Sequence, residues 1–179
     1  MKKINLLFTL TIFLIVTSCA PKVYFTTDLR KKIENANISL KDIQYYSDRR
    51  VTLKRELESG NTQVQTGKVR FENGKYIHYI ILKPNTPGVC KNIYRNKLDT
   101  QFENGQNRVL SFGISEDDDN NEPYQIFASK WENNIGEIKY DSYTYYIQSH
   151  GSRAKLQIKK SVLNKIDIEK RKMKGIRIQ

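Results

Sequence analysis

Val69-Arg70-Phe71-Glu72-Asn73-Gly74-Lys75-Tyr76-Ile77 decides the fold class of this chain. Asn-Gly supplies the two positive-φ residues that a type I′ hairpin turn needs, and here it is flanked by strand-forming runs from Gln63 to Phe71 and from Lys75 to Leu82. Working outward, Val51, Leu53 and Leu57 alternate with Thr52, Lys54 and Glu56, the pattern of a half-buried antiparallel strand. Leu40 to Tyr46 reads as a strand before it. Lys83 to Gly88 reads as loop, because two prolines remove ladder donors and Pro87-Gly88 suits the centre of a type II turn. Lys97 to Phe102 and Arg108 to Ile114 flank Asn104-Gly105 as a second hairpin, with Leu110, Phe112 and Ile114 inward. Further strands are expected at Tyr124 to Trp131, Glu137 to Tyr140, Tyr143 to Gln148 and Ala154 to Ile158, separated by Asn133-Asn134, Asp141-Ser142 and His150-Gly151-Ser152.

Nine or ten short strands with regular turn signals predict an all-β, mainly antiparallel fold, a sandwich or a partly closed barrel. One brief helix is expected near the start, capped by Thr27 or Asp28, with Leu29 and Ile33 on one face and Asn35, Ala36 and Asn37 ending it. The 179 residues suit one domain. Eleven tyrosines, seven phenylalanines and one tryptophan are too much aromatic core material for a disordered chain. Phe71-Glu72-Asn73-Gly74 recurs as Phe102-Glu103-Asn104-Gly105. Shared hairpin grammar accounts for this as well as duplication does.

The N-terminus carries a different message. Lys2 and Lys3 precede a continuous apolar run from Ile4 to Val16, which has signal-peptide length and is too short for an ordinary membrane span. The run ends at Val16-Thr17-Ser18-Cys19. This segment resembles the lipobox of bacterial lipoproteins: an aliphatic residue and two small ones before a cysteine. The resemblance implies lipid attachment at the Cys19 thiol and cleavage before Cys19, with residues 1–18 as signal peptide, 19–26 as a lipidated tether and 27–179 as a single strand-rich domain. Two or three acyl chains, at roughly 0.8 kcal/mol per buried methylene, anchor a protein stably where one does not. Ala20 stands where many inner-membrane lipoproteins carry Asp, which points to the outer membrane. Surface-exported lipoproteins of the Bacteroidetes tend to carry acids just after the lipidated cysteine; here the first acid is Asp28, so the resemblance implies a periplasm-facing position over the cell surface. In general character the chain resembles lipoproteins of the Bacteroidetes.

Charge and chemistry-bearing residues narrow the function. The full chain has 31 basic and 19 acidic residues, a formal charge of +12. From Lys159 onward eight basic residues, including Lys170, Arg171, Lys172 and Lys174, face only Asp167 and Glu169. Such a segment near a bilayer attracts anionic lipid or polymer, although Ile166, Ile168, Ile176 and Ile178 alternate as in a final strand with solvated lysines. Export argues against a nucleic-acid partner. With Cys19 acylated, Cys90 is the only thiol, expected as a small buried residue.

His78 lies in a strand and His150 in a turn, with no zinc-site spacing between them. Neither a Gly-x-Ser-x-Gly elbow nor a phosphate loop is present. Glu116 to Glu122 is acidic, but it lacks the ligand order of a calcium loop. Tyr140, Tyr143, Tyr145 and Tyr146 crowd one hairpin, as ordinary strand residues or as a recognition surface. The expectation is a non-catalytic binding or scaffolding module of the cell envelope, without cofactor, its partner an envelope protein or an anionic polymer or lipid. Its rivals are a barrel carrier of a small apolar ligand and a carboxylate-dependent hydrolase of envelope polymers.

Overall fold

The computed structural model describes residues 21–58, 67–114 and 121–168. The segment expected as signal peptide (residues 1–18), Cys19, the start of the strand expected at 63–71, most of the acidic loop and the basic cluster Lys170, Arg171, Lys172 and Lys174 lie outside those residues. The fold is all-β, with two antiparallel sheets and a short N-terminal helix.

The strands are β1 (Lys22–Tyr24), β2 (Gln44–Ser47), β3 (Val51–Glu56), β4 (Lys68–Glu72), β5 (Lys75–Leu82), β6 (Pro87–Ile93), β7 (Lys97–Gln101), β8 (Val109–Gly113), β9 (Gln125–Ile126), β10 (Lys130–Glu132), β11 (Ile135–Tyr140), β12 (Tyr143–Ile147) and β13 (Leu156–Lys159). The helices are α1 (Thr27–Asn35) and α2 (Ser161–Ile168). One sheet has the order β1-β13-β2-β6-β7-β8-β9 and the other β10-β11-β12-β3-β5-β4.

The β4–β5 hairpin closes as its turn residues dictate. Glu72 pairs with Lys75, and Asn73 and Gly74 adopt φ of 50° and 80°. Asn133-Asn134 and Asp141-Ser142 make two more turns of the same kind, all four residues having positive φ. The β7–β8 hairpin is present but closes through the longer loop 102–108 rather than through Asn104-Gly105 alone. Phe102 there turns back onto Phe112, ring centroids 6.1 Å apart.

Six local expectations are corrected, among them the cap of α1, which is Thr26 instead of Thr27 or Asp28, and the strand Tyr124 to Trp131, which is split into β9 and β10 of different sheets. Residues 22–26 are not tether: β1 pairs with β13 in the register Val23↔Ile158, and Phe25 is fully buried. Pro87 opens β6 instead of centring a turn, facing Tyr46 at a strand start where no N–H is demanded of it. Leu40–Asp42 is a 3₁₀ turn ahead of β2. Residues 161–168 are helical, because Val162, Leu163 and Ile166 recur at helical spacing and turn toward the core, overriding the Ile166/Ile168 alternation.

Thr26 caps α1, its Oγ accepting from the Leu29 amide at 3.3 Å, and Leu29 and Ile33 form the buried face. Arg30 fastens the helix to the β6–β7 turn through the carbonyls of Tyr94 and Arg95 at 2.8 and 3.0 Å. The seven-stranded sheet curls toward closure. The amide of Ile126 donates to the Ala154 carbonyl and that of Leu156 to the Tyr124 carbonyl, both at 2.8 Å, so β9 meets the approach to β13. One contiguous core fills the space between the sheets, with Tyr45, Leu53, Leu98, Phe112, Ile147 and Leu156 almost wholly enclosed. Each such side chain contributes about 1.5–3 kcal/mol by burial.

Candidate functional site

The six-stranded sheet presents its second face outward, and the register assembles there a row no single strand contains. Lys130 of β10 stands opposite Glu137 of β11, Glu137 opposite Tyr146 of β12, Tyr146 opposite Lys54 of β3, Lys54 opposite Tyr79 of β5, and Tyr79 opposite Lys68 of β4. Period-two geometry puts all six on one side. Over this face runs an open groove of about 710 Å³, lined on one flank by Glu56, Glu72, Asn73, Lys75 and Ile77 and on the other by Lys130, Glu132, Asn133, Ile135 and Gln148, with Lys54, Glu137 and Tyr146 between them.

Its charges are largely paired. Lys75 Nζ lies 2.9 Å from Glu56 Oε2, Lys54 Nζ 3.7 Å from Glu72 Oε2 and Lys130 Nζ 3.6 Å from Glu132 Oε2. The Tyr79 hydroxyl also donates to Glu72, at 2.7 Å. Exposed pairs of this kind contribute about 0–1 kcal/mol, so an incoming polar ligand exchanges them at small cost. Glu137 is in no ion pair among the described residues, and Tyr146 is 44% exposed.

The tyrosine-rich hairpin is divided by its pleat. Tyr140 and Tyr145 face inward and are buried, whereas Tyr146 faces the groove. Tyr143 shares the inward parity but, as the first residue of β12, is exposed, with the Arg55 guanidinium 3.9 Å from its ring centroid. Behind it His78, 3% exposed, shares a 2.7 Å hydrogen bond between Nδ1 and the Tyr145 hydroxyl. Burial holds that hydroxyl's pKa above the usual tyrosine value, with nearby Arg55 opposing the shift. Gly67 packs directly over the imidazole. This cluster welds β3, β5 and β12 together.

His150 sits in an exposed 3₁₀ turn, Ser149–Gly151, on a different part of the chain. Cys90 is buried as expected. Its Sγ lies 3.4 Å from the Asn92 carbonyl, and burial pushes the thiol up to about 11. Among the described residues no group of three or more His, Cys, Asp or Glu is disposed to hold a metal. Asp99, the most enclosed carboxylate described, is satisfied by Ser111 Oγ at 2.6 Å and by Asn92 Nδ2 and the Tyr94 hydroxyl at 3.1 Å.

Between the sheets a recess of about 170 Å³ is edged by Leu53, Ile80, Phe102, Leu110 and Tyr140. That is below the 300–1,000 Å³ of ordinary small-molecule pockets.

Sequence reading did not single out Lys54, Glu56, Glu137 or the outward role of Tyr146. The available signal was their polar alternation, which every solvated strand face shares. No protein-family model, no curated protein and no solved structure matches the chain.

Proposed function

We propose that this chain is a lipid-anchored, non-catalytic binding module of the bacterial cell envelope, held through Cys19 to the outer membrane and facing the periplasm, with the groove as its binding face. The observation that carries the reading is the contrast between a contiguous packed core and an open groove of about 710 Å³, rich in charged and amide side chains, on the outer sheet face. A carrier of apolar molecules needs an empty lumen, and the recess between the sheets holds about 170 Å³. The anchor rests on the lipobox-like Val16-Thr17-Ser18-Cys19. The basic run Lys170, Arg171, Lys172 and Lys174 would add attraction to anionic lipid or polymer close to the bilayer.

Two measurements test this. Cys19→Ser should move the protein from the membrane pellet to the soluble fraction, and mass spectrometry of the wild type should find an acylated N-terminal Cys19. A photocrosslinking residue at position 146 should give discrete adducts in intact cells, while one at Val89, exposed on the other sheet, should not. An unmodified first methionine would refute the anchor. Adducts at position 89 with none at position 146 would refute the groove.

A further inference from the structure

We infer that the groove takes an uncharged, polyhydroxylated chain, a segment of neutral glycan, stacked on Tyr146. This rests on the reading of the groove as the binding face. The argument is one of elimination by chemistry. The chain as a whole is +12, yet three lysines and four glutamates line the groove, so its lining alone is nearly neutral and slightly acidic. A polyanion would meet Glu56, Glu72, Glu132 and Glu137, and a polycation Lys54, Lys75 and Lys130. Either would lose as many favourable contacts as it gained, since like charges in close apposition are costly.

An apolar ligand would find surface on Ile77, Ile135, the Tyr146 ring and the aliphatic stems of the lysines and glutamates, but filling the groove with it would strip water from the seven charged heads on those stems. What remains is a ligand presenting donors and acceptors together with small apolar faces. Sugar rings do this: hydroxyls suit carboxylates, ammonium groups and the amides of Asn73, Asn133 and Gln148, while the C–H face lies on an aromatic ring.

Placement supports the same choice. Tyr146 stands at the centre of the cross-strand row, between Glu137 and Lys54, so a ring lying on it has an acceptor on one side and a donor on the other. The lining runs from β4 to β10, five inter-strand steps of ~4.8 Å or about 24 Å. That accommodates several sugar units in a row.

The test is isothermal titration of the folded protein with three neutral hexasaccharides (chitohexaose, cellohexaose and maltohexaose) beside heparin and poly-L-lysine. At least one hexasaccharide should bind saturably, with a dissociation constant below about 1 mM. Tyr146→Ala should weaken it at least tenfold and Glu137→Gln by a smaller factor, while Tyr146→Phe, which keeps the ring, should restore it. Tyr143→Ala, an exposed tyrosine of the same hairpin away from the groove, should bind like the wild type.

No heat with any hexasaccharide overturns the inference, as does saturable binding of heparin or poly-L-lysine that Tyr146→Ala abolishes. So does equal loss in Tyr143→Ala and Tyr146→Ala. If hexasaccharides fail while position 146 still crosslinks in cells, the glycan is wrong and the binding face stands. If position 146 does not crosslink, the binding-face reading itself has failed.

Discussion

Arg108 and Asp141 belong to hairpins of different sheets, and they meet with Nη2 3.0 Å from Oδ2. Around them the Asp141 amide donates to the Asn107 carbonyl at 2.9 Å, and the Tyr140 hydroxyl donates to Glu103 at 2.8 Å. The two hairpin tips are thereby stapled, which closes one end of the two-sheet stack. Arg108 is 8% exposed, and its guanidinium donates to Asp141 and, at 3.2 Å, to the Asn104 carbonyl.

Asp141→Asn isolates the staple from the turn, because Asn tolerates the φ of 52° that Asp141 holds. The variant should lose about 1–3 kcal/mol, read as a lower urea midpoint with an unchanged m-value. In a double-mutant cycle with Arg108→Met the two losses should be clearly less than additive. Additive losses would mean that the pair does not act as a unit.

Gly67 and Gly74 both have positive φ, 95° and 80°, but only one is crowded. An added Cβ at Gly74 meets nothing, so Gly74→Ala should cost about 1–2 kcal/mol from left-handed backbone strain alone. At Gly67 the same atom would come within 2.4 Å of both His78 Nε2 and the Tyr79 carbonyl oxygen, and that backbone cannot yield. Gly67→Ala should cost at least about 2 kcal/mol more than Gly74→Ala, the scale of overpacking. Equal denaturation midpoints would contradict the packing of Gly67 on the His78 ring.

Alkaline pH should destabilise the fold. Burial raises the pKa of Tyr45, Tyr140, Tyr145 and Cys90 above their ordinary values, and the hydrogen bond from Tyr140 to Glu103 adds to the shift there. Unfolded Cys and Tyr release their protons near pH 8.5 and 10 respectively, while the folded chain still holds them. The native state then binds more protons than the unfolded state, so stability is complete below about pH 8.5 and falls as pH rises beyond it. Melting temperatures from pH 7 to 11 should be flat and then decline, most steeply above pH 10. Tyr140→Phe should make that last limb shallower.

Cys90 should be a poor nucleophile. With the thiol pushed up to about 11 and the side chain buried, thiolate is scarce at pH 8 and access is closed. Labelling with iodoacetamide should lag a free cysteine peptide by at least tenfold in native buffer and match it in 6 M guanidinium. Prompt native labelling would place the thiol at the surface.

Local turn chemistry was readable at three of the hairpins that need a left-handed backbone, and misplaced at Asn104-Gly105, where the loop runs from 102 to 108. Asn73-Gly74, Asn133-Asn134 and Asp141-Ser142 declare their turns through residue type, and all three turns are present. The inward face of β3 was equally plain, with Val51, Leu53 and Leu57 buried. Reading failed where a distant partner overrides a local signal. Lys22–Tyr24 is too short to announce itself as a strand and is one only because β13 lies beside it. Pro87-Gly88 looks like a turn until β2 supplies a neighbour for it. The C-terminal alternation pointed to a strand, yet Val162, Leu163 and Ile166 found apolar cover on helical spacing.

Taken alone, the order of residues settles what depends on neighbours a few positions apart: most of the hairpin turns, the alternating strands and hence the all-β class, and the apolar face of α1. These are consequences of backbone sterics and side-chain period. The strand order β10-β11-β12-β3-β5-β4 is of another kind, because each pairing is chosen by burial and hydrogen bonding between segments remote in the chain. Only that order sets Lys130, Glu137, Tyr146, Lys54, Tyr79 and Lys68 in one row, and so only the folded molecule has a groove.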